Sequence, residues 1–416
     1  MQQDVNFKNI LIGTIISIIV IVCFELFRPY EIIDLSFIED IFNDIKQSQT
    51  ISPERLYINV WRIAKNEYVD KTMNGQDWQR WRNRYNGKIK TKADAKVAIN
   101  TMLASLNDNY TKFLSSGSFA KQKIILDSKI TGVGVIYNKI GDEVVIDNVL
   151  KNSSAFSQNV LPGDKIVSID GVSTKELETS QIQNLIENSG STAVMEVQRG
   201  DEVLVKELER AEIPLDTMRY KITDDNIGII NLTTIMGEDA LKDFEEIILS
   251  TNKTKGLIID LRNNYGGILS NAIQMSDMMM KNTKIIDLET REKQKFEIYS
   301  DENSDFIEKP IVILVNKKTA SAAEILTGAL KHGLGAVVIG QNTFGKNSVQ
   351  HVIPLSNNTG LFITTDKYIL PNNEDISNIG ITPDLYLNKP ADYKGSDYGL
   401  NEAIQIINKE TKNTFN

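Results

Sequence analysis

Ile311-Val312-Ile313-Leu314-Val315, then Asn316-Lys317-Lys318-Thr319-Ala320, then Ser321-Ala322-Ala323-Glu324-Ile325-Leu326-Thr327-Gly328-Ala329-Leu330-Lys331 is the stretch that decides the fold. The unbroken apolar run 311–315 predicts a strand buried on both faces. The polar turn after it leads into apolar spacing of helical period over 322–331. Ser321 therefore falls at a strand-to-helix junction, beyond the carboxyl end of a strand, where open α/β sheets place their ligand sites. The N–H groups of the helix start, that of Ala322 among them, face any negative charge that develops there. Ser321-x-x-Glu324 is equally a capping box, and on its own that is the plainer reading of the serine.

A second stretch repeats the pattern. Gly256-Leu-Ile-Ile-Asp260-Leu-Arg-Asn-Asn-Tyr-Gly266-Gly267 is another apolar run ending in a polar turn, with a helix predicted near 269–280. The Gly266-Gly267 pair lets backbone approach closely and exposes N–H groups. Beside Ser321 it can supply the second donor of an oxyanion hole; taken alone it is an ordinary tight turn.

The chain has only two histidines, His332 and His351, both read as structural or surface residues. A base other than histidine is therefore sought, and Lys346 lies in Thr343-Phe-Gly-Lys346-Asn-Ser-Val-Gln350. An ordinary lysine has a pKa near ~10.4, so about four in ten thousand are neutral at pH 7. Burial lowers that value and can make the amine a usable base. Gln350, four residues on, shares a strand face with Lys346 and its amide can hold the amine. Lys346 by itself is as well read as a solvated loop lysine.

In order along the chain, Leu106-Asn-Asp-Asn-Tyr-Thr-Lys-Phe-Leu114, Asp260 to Gly267, Thr319-Ala-Ser-Ala-Ala-Glu324, Thr343 to Lys346, Gln350 and Gly380-Ile-Thr-Pro-Asp384 together resemble the C-terminal processing peptidases, or tail-specific proteases. The resemblance covers roughly residues 50 to 410. It implies a Ser–Lys endopeptidase with a crotonase-like α/β catalytic core. Ser321 would be the nucleophile, Lys346 the base and Gln350 the residue that orients the lysine. The Gly266-Gly267 turn and the Ala322 amide would form the oxyanion hole. The chain departs from the family at Asn347, where glycine is common, and at Ala323, where serine is frequent; neither touches the proposed pair.

Residues 126–212 read as a separate unit with the strand, turn and helix order of a PDZ domain. Leu161-Pro-Gly-Asp164 and Ile169-Asp-Gly171 carry that resemblance. PDZ domains add a peptide strand to a sheet edge and capture its carboxylate on loop amides. The matching loop here is Gly132-Val133-Gly134-Val135, which without the resemblance reads equally as a bulge or bend. Arg199 ends a strand of the unit and reads as a surface residue, with steering of a peptide tail as the alternative.

Upstream, residues 10–24 carry no charge, and with Leu26 and Phe27 the run approaches bilayer-spanning length. The segment 1–28 is a membrane anchor or a signal segment; Glu25 to Pro29 offers no small-residue cleavage site, which favours the uncleaved anchor, with the bulk of the chain on the extracytoplasmic side. Cys23, the sole cysteine, lies inside that run. No disulfide within the chain is available, and no Cys/His cluster suggests a metal. A net charge of −9 over 416 residues excludes general nucleic-acid binding.

The expected architecture is multidomain α/β: the anchor 1–28, a helical N-terminal region 29–125, the PDZ unit 126–212 and the peptidase core 213–416 ending in a helix. In 29–125, Trp61, Trp78 and Trp81 read as packing aromatics; at 281–310 a strand pair and a charged loop are expected. No cofactor is expected. The partners are protein substrates bound by their C-termini and a membrane met through 10–27; the resemblance also leaves room for a homo-oligomer or an activating adaptor. The rival from another class is a catalytically silent, membrane-tethered PDZ adaptor. A small-ligand crotonase-like binding protein comes third.

Overall fold

The computed structural model describes residues 51–414, with short gaps around 120–128, 178, 188–189, 215–216, 238, 305 and 389–396. The apolar run 10–27 lies outside the described residues. Among the described ones, no helix is long and apolar enough to cross a membrane.

The described residues open with three helices. Ser52 caps α1 (Pro53–Glu67), accepting from Arg55 N at 3.2 Å, with Pro53 supplying the preset φ of a first turn. After α2 (Gln79–Arg84), Thr91 and Asp94 form a full capping box at the start of α3 (Lys92–Ala104). The three tryptophans are buried here. Trp61 and Trp78 each donate their indole N–H to the other's carbonyl, at 3.0 and 3.2 Å. The segment expected to be helical also holds β1 (Lys112–Leu114), which pairs with a strand near the end of the chain. Periodicity over three residues could not show it.

β2 (Lys129–Gly132) pairs antiparallel with the later strand Ala211–Pro214 as a separate two-stranded ribbon. After β2, β3 (Val135–Ile140), β4 (Glu143–Val149), the short α4 (Ser154–Ser157), β5 (Lys165–Ile169), β6 (Val172–Ser173), α5 (Thr179–Glu187), β7 (Thr192–Arg199) and β8 (Glu202–Glu209) follow in the order expected from the turns. The sheet runs β3-β4-β5-β7-β8, with β6 paired on β5. Alternate residues of the strands, such as Val144 and Ile146 or Met195 and Val197, point inward onto Ile182 and Ile186 of α5.

Val133 and Val135 of the expected carboxylate loop belong to this core. Gly134 has φ +92, and a Cβ there would stand 2.1 Å from Ser153 Cβ. Arg199 proves to be a brace. It grips Asp164 with two bonds of 2.7 Å and donates to Asn159 O at 2.9 Å, so it holds the Leu161–Asp164 turn. Asp164 is almost fully buried. Arg199→Ala would leave that buried carboxylate without its charged partner, and lower stability is expected. Chemical denaturation followed by the fluorescence of the chain's tryptophans checks this; a change within error would show the brace to be idle.

From β9 (Ala211–Pro214) the chain enters the core: β10 (Met218–Ile222), β11 (Ile227–Leu232), α6 (Asp239–Thr251), β12 (Gly256–Asp260), α7 (Leu269–Asp277), β13 (Lys284–Glu289), β14 (Lys295–Tyr299), β15 (Ile311–Val315), α8 (Ala322–Leu334), β16 (Val337–Gly340), β17 (Ser348–Leu355), β18 (Thr359–Ile369), β19 (Leu385–Tyr386) and α9 (Tyr398–Thr414). One sheet runs β10-β11-β12-β15-β16-β19, parallel throughout except for β10. Every residue of β12 and of β15 is buried, which is why both read as unbroken apolar runs. Ala403 and Ile407 of α9 pack on the inner residues of this sheet. The second sheet is antiparallel, β1-β18-β13-β14 with β17 on β18. α8 packs against both α7 and β13. Met279 and Met280 are buried just beyond the end of α7.

Candidate active site

Ser321 begins α8 with φ 56° and ψ −123°, a conformation that a residue with a Cβ rarely adopts. Such a residue costs on the order of 1–3 kcal/mol and persists where its surroundings over-determine it. A sharp, strained strand-to-helix turn is how α/β hydrolases present a serine nucleophile. Small neighbours make room for it: Ala320, Ala322 and Gly266, whose φ is +96°. A Cβ on Gly266 would lie 2.6 Å from Ala320 O and 3.0 Å from Ser321 Cβ. The β12–α7 turn therefore stacks directly on the serine turn, and Ala320 N donates to Asn264 O at 3.0 Å.

The two glycines of that turn differ. Gly266 N–H, expected as an oxyanion donor, donates instead to Asn264 Oδ1 at 2.8 Å. That corrects the expectation for Gly266: its amide is engaged within its own turn. The N–H groups of Gly267 and Ala322 have no acceptor among the described residues. Arg262 stiffens the same turn from behind. It bonds Asp260 at 2.8 and 2.6 Å and Asp397, at the start of α9, at 2.9 and 2.7 Å.

Glu324 joins the serine and lysine segments. It is fully buried. Its Oε1 accepts from Thr343 Oγ1 at 2.5 Å and Gly345 N at 2.7 Å; its Oε2 accepts from Ser321 N at 2.8 Å and Lys346 N at 3.0 Å. Burial pushes its carboxyl up, and these four donors pull against that. The sequence showed Glu324 only as a helix cap, because donors 19 to 22 residues away leave no local trace. Tyr368 makes a second link, donating to both the Lys346 and Ser321 carbonyls. Ile381 of the Gly380–Asp384 motif donates its N–H to Thr343 Oγ1 at 2.6 Å. That far segment thus reaches the lysine loop.

Lys346 itself is partly buried, with its Nζ 5.0 Å from the Tyr110 ring centroid. Burial holds its pKa below the ordinary lysine value; Lys112 adds to the lowering, while Glu324 and Asp108 oppose it. The Ser321 hydroxyl and the Lys346 amine are not hydrogen bonded to each other, and contacts of this kind tighten when substrate binds. Gln350 does not hold the amine in this structure. Its Nε2 donates to Ser348 Oγ at 2.8 Å and to Thr364 Oγ1 at 3.2 Å. The strand bulges between Val349 and Gln350, so simple alternation from Lys346 does not carry the side chain to the amine. His332 bonds Glu374 and Asn372, a structural role.

The sequence pattern of "Peptidase family S41" matches residues 226–387, and that of "PDZ domain" matches 124–198. Over 411 residues the chain is 30% identical to carboxyl-terminal-processing peptidase 2, chloroplastic, of Arabidopsis thaliana, covering 94% of this chain and 77% of that one. The chain belongs to the carboxyl-terminal processing peptidases. This peptidase is 31% identical over 323 residues to the carboxy-terminal processing protease CtpA of Bacillus subtilis, covering 74% of the peptidase and 69% of that relative. Among solved structures it resembles the photosystem II D1 C-terminal processing protease. The TM-score is 0.55 at 28% identity, over 86% of the peptidase and 98% of that chain. The peptidase is a serine-type enzyme with a PDZ domain joined to an S41 fold. The silent-adaptor reading finds no support in relatives named as processing proteases.

Proposed function

We propose that this peptidase cleaves proteins near their C-terminus with Ser321 as nucleophile and Lys346 as general base, on a crotonase-like core. The observation that carries the reading is the strained Ser321 turn, bonded through one buried carboxylate to the backbone of Lys346. Ser321 Oγ attacks the scissile carbonyl and its proton passes to Lys346 Nζ. The N–H groups of Gly267 and Ala322 receive the oxyanion. Lys346 then gives its proton to the leaving amine, and water hydrolyses the acyl-enzyme with the same amine as base. Gln350 keeps an indirect part, through Ser348 and Thr364, on the strand that follows the lysine.

The PDZ unit, in this reading, presents the substrate tail. Its loop amides lose their hydration only to good effect if they meet a carboxylate, so an amidated tail binds worse. The segment 10–27 anchors the chain in the membrane with the catalytic part on the extracytoplasmic side. Its support is an uncharged run followed by bulky and charged residues.

The test is cleavage of an unstructured polypeptide ending in apolar residues, made with a free-acid and with an amidated C-terminus, with fragments mapped by mass spectrometry. Fragments cut near the free-acid end, at a rate about tenfold above the amidated one, are expected. Equal rates would remove the tail-reading role and leave the PDZ unit structural; cuts scattered along the polypeptide would remove the C-terminal specificity.

A further inference from the structure

The segment Leu106–Leu114 plays no part in the mechanism above, yet it delivers an aromatic ring to the proposed base. Lys346 Nζ lies 5.0 Å from the Tyr110 ring centroid, within range of an ammonium–ring attraction. The ring is held from both sides of the chain. Asp108 Oδ1 accepts from Tyr110 N at 2.9 Å, and its Oδ2 accepts from Thr111 Oγ1 at 2.6 Å and Thr364 Oγ1 at 2.7 Å. Thr364 N donates to Thr111 Oγ1 at 3.1 Å, and Thr364 Oγ1 accepts from Gln350. The segment continues into β1, which pairs with β18. The backbone that carries the ring is thereby fixed against β18, which pairs with β17, the strand that follows the lysine.

We propose that Tyr110 is a positioning residue for Lys346, its ring covering one side of the amine, limiting its rotamers and keeping water from it. The proposal rests on Lys346 as the base. Besides the ring, the amine faces Lys112 and Asp108 of the same segment and Glu324 of α8, while Tyr368 of β18 bonds the lysine's carbonyl. Burial is the largest influence lowering the lysine, so uncovering it outweighs the lost ring attraction. The ring face is what matters here; the hydroxyl is dispensable.

The experiment measures kcat/KM against pH for the parent enzyme, Tyr110→Phe, Tyr110→Ala and Lys346→Ala. Tyr110→Phe should keep its rate within about twofold and leave the acid limb in place. Tyr110→Ala should lose roughly 10- to 100-fold in kcat/KM at pH 7, with its acid limb about one unit higher and part of the rate regained in alkali. A limb unmoved or moved down in Tyr110→Ala overturns the proposal, as does a Tyr110→Phe enzyme as impaired as Tyr110→Ala. Should Tyr110→Ala not fold, Tyr110→Leu makes the same comparison. Activity surviving in Lys346→Ala would instead sink the base assignment itself, whatever Tyr110 does.

Discussion

Ser321→Ala and Lys346→Ala are each expected to lower proteolysis by a factor on the order of 10^4 or more, with the fold intact. Each removes one of the two groups that the proposed chemistry uses, and His332 is engaged elsewhere, with Glu374 and Asn372. In the proposed mechanism the working form of Lys346 is the neutral amine, so the rate should rise with pH through the lysine's lowered pKa and then level off. The same shift fixes the effect on stability. Between the folded and ordinary lysine values the unfolded chain binds more protons, so the charge of Lys346 opposes folding there and the opposition fades as pH rises. Lys346→Met should therefore melt no lower than the parent at pH 7, while being inactive. Burst kinetics, a pH profile and a thermal melt decide the matter. Most of the activity remaining in Lys346→Ala would end the Ser–Lys assignment.

Glu324→Ala should damage both activity and stability. It leaves four donors without an acceptor in a fully buried place: Ser321 N, Lys346 N, Gly345 N and Thr343 Oγ1. The expected cost is about 3 kcal/mol of stability. Activity should fall about 10²-fold or more, because the strained serine turn and the lysine loop lose their common anchor and small misplacements are costly. Glu324→Gln is the finer probe. One of its two positions becomes an NH2 group facing a pair of donors, so it should fall between the parent and Glu324→Ala in melting temperature. A Glu324→Gln enzyme with unchanged rate and stability would show that the serine and lysine segments are held by other contacts.

Much of this was legible in the linear chain. Runs such as 256–260 and 311–315 announce buried parallel strands, because strands covered on both faces have no polar side to show. The turn residues of 161–164 and 169–171 mark the PDZ unit, and Ser321, Glu324 and Lys346 are visible as motif members. Misreadings arose where a side chain's partner is remote. Arg199 looked like a surface residue because Asp164 is 35 positions away. Strand alternation puts Gln350 on the lysine's face, and the bulge between Val349 and Gln350 breaks that alternation.

What the sequence determined by itself is the order of most elements and the candidates for the reacting groups, since both are read from residue type and from periodicities of a few residues. Tertiary structure alone decided how those groups are held. The positive φ of Ser321 is imposed by a turn 55 residues upstream, where Gly266 leaves room for it. The choice of Gly267 over Gly266 as the amide with no acceptor follows from the Asn264 side chain. The ring against Lys346 comes from a segment more than 230 residues earlier in the chain. Such contacts depend on strand pairing between distant segments, and a hydrogen bond or a ring face leaves no periodic mark on either partner.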